Sequence, residues 1–150
     1  MEERTSSGAR GLRLRLAWEV TILATVTLDR ARESLWAAEL CRREALVNSA
    51  VSRAYYAMFQ AAQVALASSG LARAEWTHAA LQAAFATELV HRRKLYPATF
   101  RDYLSVGLGV RHVADYGRAG VSGKIAQRTV RRAAVFLRAV EEEASRADRA

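Results

Sequence analysis

Between Leu46 and Ser69 the chain has almost no polar face. Ala50, Ala54, Ala57, Met58, Phe59, Ala61, Ala62, Ala65 and Leu66 place apolar groups nearly all the way round a helix. A helix of that kind has to be covered on every side, so the segment predicts the middle of a helical bundle. Gly70 follows it and suits the left-handed turn that ends a helix. The one polar stripe is Arg53, Tyr56, Gln60 and Gln63, at successive spacings of three and four.

The flanking segments supply the cover. Asp29 is placed to cap a first helix reaching about Arg43, with Leu28, Ala31, Leu35 and Ala38 on one face. Thr77 predicts the cap of a third helix to about Arg93, with Leu81, Ala84, Phe85 and Leu89 inward. Pro97 falls where the first turn of a fourth helix accepts proline. Phe100, Tyr103, Gly107, Val110 and Ala114 form the stripe of that helix, and Gly117 closes it. A fifth helix follows Gly123 to about Glu143, with Ala126, Val130, Ala133, Leu137 and Val140 inward and Arg128, Arg131, Arg132 and Arg138 largely outside. With 150 residues, 51% of them hydrophobic, and a single proline, the economical architecture is one all-α domain. It is an up-and-down bundle of four to five helices over residues 28–147. Residues 1–27 read as a leader. Their first part is rich in Ser, Gly and Arg, and residues 12–27 lack helical preference. That stretch suits an extra strand or helical turn, a partner arm, or an upstream extension.

A formal net charge of +8 favours an anionic partner, nucleic acid or nucleotide among them. Cys41 is the only cysteine, so neither an intrachain disulfide nor a thiolate cluster for zinc can form. His78, His91 and His112 show no metal-ligand spacing, and nothing calls for a cofactor. A reducing, cytoplasmic setting fits. The basic leader precedes an apolar run from Leu16 to Leu28, but Glu19 interrupts it. It is too short to span a bilayer and lacks a small-residue cleavage site, so neither a secretory signal nor a membrane span is expected.

The chemistry concentrates near the end of the fourth helix. Arg111 and Asp115 are four apart and share a face, which by itself is an ordinary intrahelical pair. Yet Leu104, Leu108, Arg111 and Asp115 form one row, so the pair continues an apolar stripe and is expected partly buried or at an interface. There an arginine is a fixed fork for phosphate or carboxylate. Arg53 and Tyr56 on the central helix, and His78 just after the Thr77 cap, are further candidates beside plain packing and surface roles. No Gly-rich phosphate loop, Ser/His/Asp grouping or paired carboxylates can be read.

Taken in order, Ala-Arg-Glu-Ser-Leu-Trp-Ala-Ala at 31–38, Arg-Ala-Tyr-Tyr-Ala-Met-Phe-Gln-Ala-Ala at 53–62, Thr-His at 77–78 and Arg-His-Val-Ala-Asp-Tyr-Gly at 111–117 resemble the HEPN domain family. The resemblance covers about residues 28–143. It is nearest to the small stand-alone prokaryotic branch encoded beside a minimal nucleotidyltransferase. It implies a helical bundle that forms a homodimer. Many members are metal-independent ribonucleases acting as toxins, through an Arg followed after four to six residues by a His. Arg111 matches that Arg, but after four intervening residues stands Tyr116, and His112 is adjacent to the Arg, at the wrong spacing. Cleavage through the 2′-hydroxyl needs a proton acceptor near neutral pH, for which imidazole is suited and tyrosine, with a reference pKa near ~10, is not.

The resemblance thus implies a toxin-like protein paired with a nucleotidyltransferase antitoxin and acting on RNA. Arg111 contacts phosphate and Asp115 orients it. Tyr116 is a catalytic helper or the hydroxyl that the partner modifies, and Arg53, Tyr56, His78 and His112 line the binding side. The alternative is a non-catalytic nucleotide- or partner-binding module on the same face. A third reading is a structural helical dimer with Arg111–Asp115 at its interface.

Overall fold

The computed structural model describes residues 28–150, so the leader reading of 1–27 lies outside the described residues. Five helices make up the described chain. Helix α1 covers 28–43, α2 Val47–Ser68, α3 His78–Ala84 with a π-helical continuation over Phe85–Arg92, α4 Thr99–Tyr116 and α5 Gly123–Arg149.

The apolar segment is the hub. Helix α2 packs against α5, α4 and α3. It also meets α1, where Ser34 Oγ donates to Gln60 Oε1 at 2.8 Å. Its alanines at 50, 54, 57, 61, 62 and 65 are buried, and their small side chains let the neighbouring backbones close in. The helix ends as its sequence predicts. Gly70 takes φ +81°, and the Leu71 and Gly70 amides donate back to the Leu66 and Ala67 carbonyls at 2.9 and 3.0 Å.

Several boundaries differ from expectation. The chain is already helical at residue 28, so Asp29 is not a cap; its carboxylate instead pairs with Arg32 at 3.0 Å. Pro97 lies just before α4, its carbonyl accepting from the Phe100 amide at 3.0 Å. Helix α5 is capped by Ser122 and runs to Arg149, beyond Glu143. Helix α3 starts where Thr77 predicts, with Thr77 Oγ1 accepting from the Ala80 amide at 3.1 Å. It does not stay α-helical to Arg93. The buried residues Leu81, Phe85 and Leu89 are spaced by four, a row that drifts around a helix of about 3.6 residues per turn; the wider π turn reverses the drift and keeps all three inward.

An aromatic stack ties this segment to α4 and α5. The Phe136 ring lies 5.3 Å from Phe85 and 4.9 Å from Phe100, and Tyr96 lies 5.3 Å from Phe85. Helix α4 lies tight against side chains of α2 at Gly107. A Cβ there would stand 2.8 Å from Met58 Cε and 3.3 Å from the Tyr55 ring. That contact brings the next turn of α4, which carries Arg111, over the tyrosines of α2.

Candidate functional site

Arg111 and Asp115 follow the Gly107 crossing by one and two turns. Arg111 Nε and Asp115 Oδ2 are 3.2 Å apart, with side chains 16% and 28% exposed, so the pair is partly buried. A carboxylate in the last turn of a helix opposes the helix dipole, and α4 has no basic residue in that turn. Asp115 therefore depends on Arg111 for its compensation. The guanidinium also lies over the aromatic face of α2, with Cζ 4.5 Å from the Tyr56 ring centroid and 5.8 Å from that of Tyr55. Arg53 reaches the Tyr56 ring as well, at 5.7 Å. Two guanidinium groups thus converge on one tyrosine. Both faces of this arrangement suit a nucleic acid: the arginines offer phosphate donors, and the ring offers a stacking surface.

Beneath them lies a contact between elements far apart in sequence. The Tyr55 hydroxyl is 2.7 Å from His78 Nδ1. The His78 ring also packs on Phe59 and Tyr55, at 5.0 and 5.5 Å. Burial pushes the Tyr55 phenol up to about 12, against the opposing pull of the Gln82 side chain and the Arg111 charge. Burial, then the electrostatic influence of Arg111 and His112, holds His78 below the usual imidazole range. Gln82 Nε2 is buried without a hydrogen-bond partner beside the same hydroxyl.

The structure therefore gathers Arg111, Asp115, Arg53 and His78 around the neighbouring rings of Tyr55 and Tyr56. Tyr116, 78% exposed, stands on the outer flank of α4 with its ring 6.1 Å from that of His112, which is exposed yet near enough to His78 to act on it electrostatically. Tyr55 and Gln82 were not among the residues singled out from sequence. Tyr55 falls on the core row with Val51 and Met58, and the available signal was its hydroxyl, which a buried tyrosine has to satisfy. Among the described residues no group of His, Cys, Asp and Glu could hold a metal ion. No helix among them is long and apolar enough to cross a membrane.

Comparison with known proteins agrees with the geometry. The family model described as HEPN domain matches residues 24–143. The chain is also 32% identical over 117 residues to the UPF0332 protein glr0978 of Gloeobacter violaceus, a match that covers 77% of this chain and 90% of that protein. With the helical bundle and the ordered motifs in place, the chain belongs to the HEPN domain family.

Proposed function

We propose that this chain is a toxin-like cytoplasmic protein that grips RNA phosphate through Arg111, cleaves RNA without a metal ion, and pairs with a nucleotidyltransferase antitoxin. The observation that carries this reading is the partly buried guanidinium of Arg111, held between the Asp115 carboxylate and the face of Tyr56. A fixed guanidinium beside a stacking surface is a phosphate-and-base arrangement, and the +8 charge of the chain favours a polyanion. The protein acts as a homodimer in this reading. Val106 and Val113 are exposed along one outward row of α4, on the side of the helix away from Arg111, and that row is the apolar surface a second copy would cover. Tyr116 presents an accessible hydroxyl to the partner enzyme.

The test is induced expression of the parent beside Arg111→Ala and Tyr116→Phe, with total RNA inspected in each culture. Growth arrest with RNA breakdown, abolished by Arg111→Ala, is the expected result. Co-expression with the partner should add a nucleotide's mass to the parent and not to Tyr116→Phe. A second reading, a non-catalytic binding module, draws on Tyr116 standing where the motif has its His. Intact RNA and no arrest, with the partner protein co-purifying, would favour it.

A further inference from the structure

We infer that His78 is the proton acceptor for RNA cleavage at this site, supplied by α3 in place of the imidazole that α4 lacks at position 116, and that Tyr55 is the residue that positions it. The inference rests on the RNA-cleavage reading above and names the base that reading needs. Three helices meet here: α2 brings Tyr55, α3 brings His78 and α4 brings Arg111. His78 and Arg111 pack against the same tyrosine ring, at 5.5 Å and 5.8 Å. A substrate phosphate on Arg111 therefore brings its neighbouring ribose toward His78. The other two imidazoles are less well placed. His112 is exposed beside Tyr116, and His91 is exposed near the end of the π segment.

The hydrogen bonding leaves one ring nitrogen for chemistry. In the tautomer this role requires, Nδ1–H donates to the Tyr55 oxygen across the 2.7 Å contact and the His78 Nε2 lone pair is free; no described residue hydrogen-bonds to Nε2. A second contact of this kind on a base is what fixes its tautomer and aim. The groups around His78 are Tyr55 and Phe59 from α2, Arg111 and His112 from α4, and Gln82 one turn along its own helix. Partial burial, then the Arg111 guanidinium, favour the neutral ring, the form that accepts a proton.

The step is a transesterification. His78 Nε2 takes the 2′-hydroxyl proton as the 2′-oxygen bonds to phosphorus. The bond from phosphorus to the 5′-oxygen breaks, and that oxygen takes a proton from water. The hydroxide left behind neutralises the imidazolium. The products are a 2′,3′-cyclic phosphate and a 5′-hydroxyl end, with nothing oxidised or reduced. Arg111 donates to the non-bridging oxygens as their charge grows.

The experiment uses the full chain and an end-labelled, mixed-sequence single-stranded RNA. Cleavage is followed at saturating protein, and binding is measured separately by anisotropy. His78→Gln should lose cleavage by about 10²–10⁴-fold, the range for a positioned general base, while binding stays unchanged. Because His78 supports local packing, His78→Gly is tested beside it, and added imidazole should restore its cleavage. Tyr55→Phe should lower the cleavage rate at saturation without weakening binding, and should move the acidic limb of the pH profile. Cleavage by His78→Gln within about threefold of the parent would overturn the inference, as would failure of imidazole to restore His78→Gly. If His78→Gln cleaves normally while Arg111→Ala does not, only the assignment of the base fails. If the parent itself leaves the RNA intact, the cleavage reading and the base fall together.

Discussion

Replacing Arg111 with methionine keeps most of the side-chain stem and removes the charge, and its consequences can be worked from two sets of contacts. Within the fold, the ion pair to Asp115 is partly exposed at 3.2 Å, so it contributes about 0.5 kcal/mol. The guanidinium 4.5 Å above the Tyr56 ring adds about 0.5–1 kcal/mol. The variant should therefore lose roughly 1–1.5 kcal/mol, which is about 2–6 °C in melting temperature for a domain of this size. It should remain folded. Toward RNA the loss is of another kind. One phosphate contact to a single strand contributes a slope of about −0.7 in log affinity against log salt. Between 50 and 200 mM salt, removing one contact should thus narrow the gap between parent and variant by about 2.6-fold. Fluorescence anisotropy of a labelled single-stranded RNA across that range, with urea unfolding as the stability control, measures both quantities. A variant that is destabilised as expected yet keeps the parent's salt slope would refute Arg111 as a phosphate contact and leave it as a structural ion pair.

Three further outcomes follow from the packing. Phe136→Ala should cost about 3–5 kcal/mol by urea unfolding, since its fully buried ring stacks on both Phe85 and Phe100. Gly120→Ala should cost about 1–3 kcal/mol, because Gly120 has φ +66° and a Cβ there would stand 2.7 Å from Asn48 Oδ1, which accepts from the Val121 amide; an unchanged unfolding midpoint would contradict this. The third concerns pH. His78 is held below the 6.5 of a free imidazole, so between the two values the unfolded chain binds more protons than the folded one. Its contribution to stability is present above about 6.5 and lost as pH falls through the folded value, so unfolding free energy measured from pH 7 down to 5 should fall less steeply in His78→Gln.

What was legible in the sequence was what one helix determines for itself. The all-round apolar character of α2, its stop at Gly70, the Thr77 cap and the shared face of Arg111 and Asp115 are relations among residues a few positions apart, set by the period of the helix. The ordered motifs carried the family for the same reason, since each is a short local string. The tertiary structure decided everything that depends on which helix faces which. Tyr55 and His78 are separated by 23 positions, and no periodicity relates them. Their contact exists because Thr77 starts α3 beside α2. The π turn is a tertiary result as well: the local pattern allows an α-helix to Arg93, and burying Leu81, Phe85 and Leu89 on one line selects the wider winding. Gly107 reads from sequence as one more small residue in a stripe. Only the packed pair of helices leaves no room there for a Cβ beside Met58 and Tyr55, one turn before α4 lays Arg111 on Tyr56. Spacing along the chain sets the face on which a side chain stands, and only the packing of one helix on another sets what that face meets.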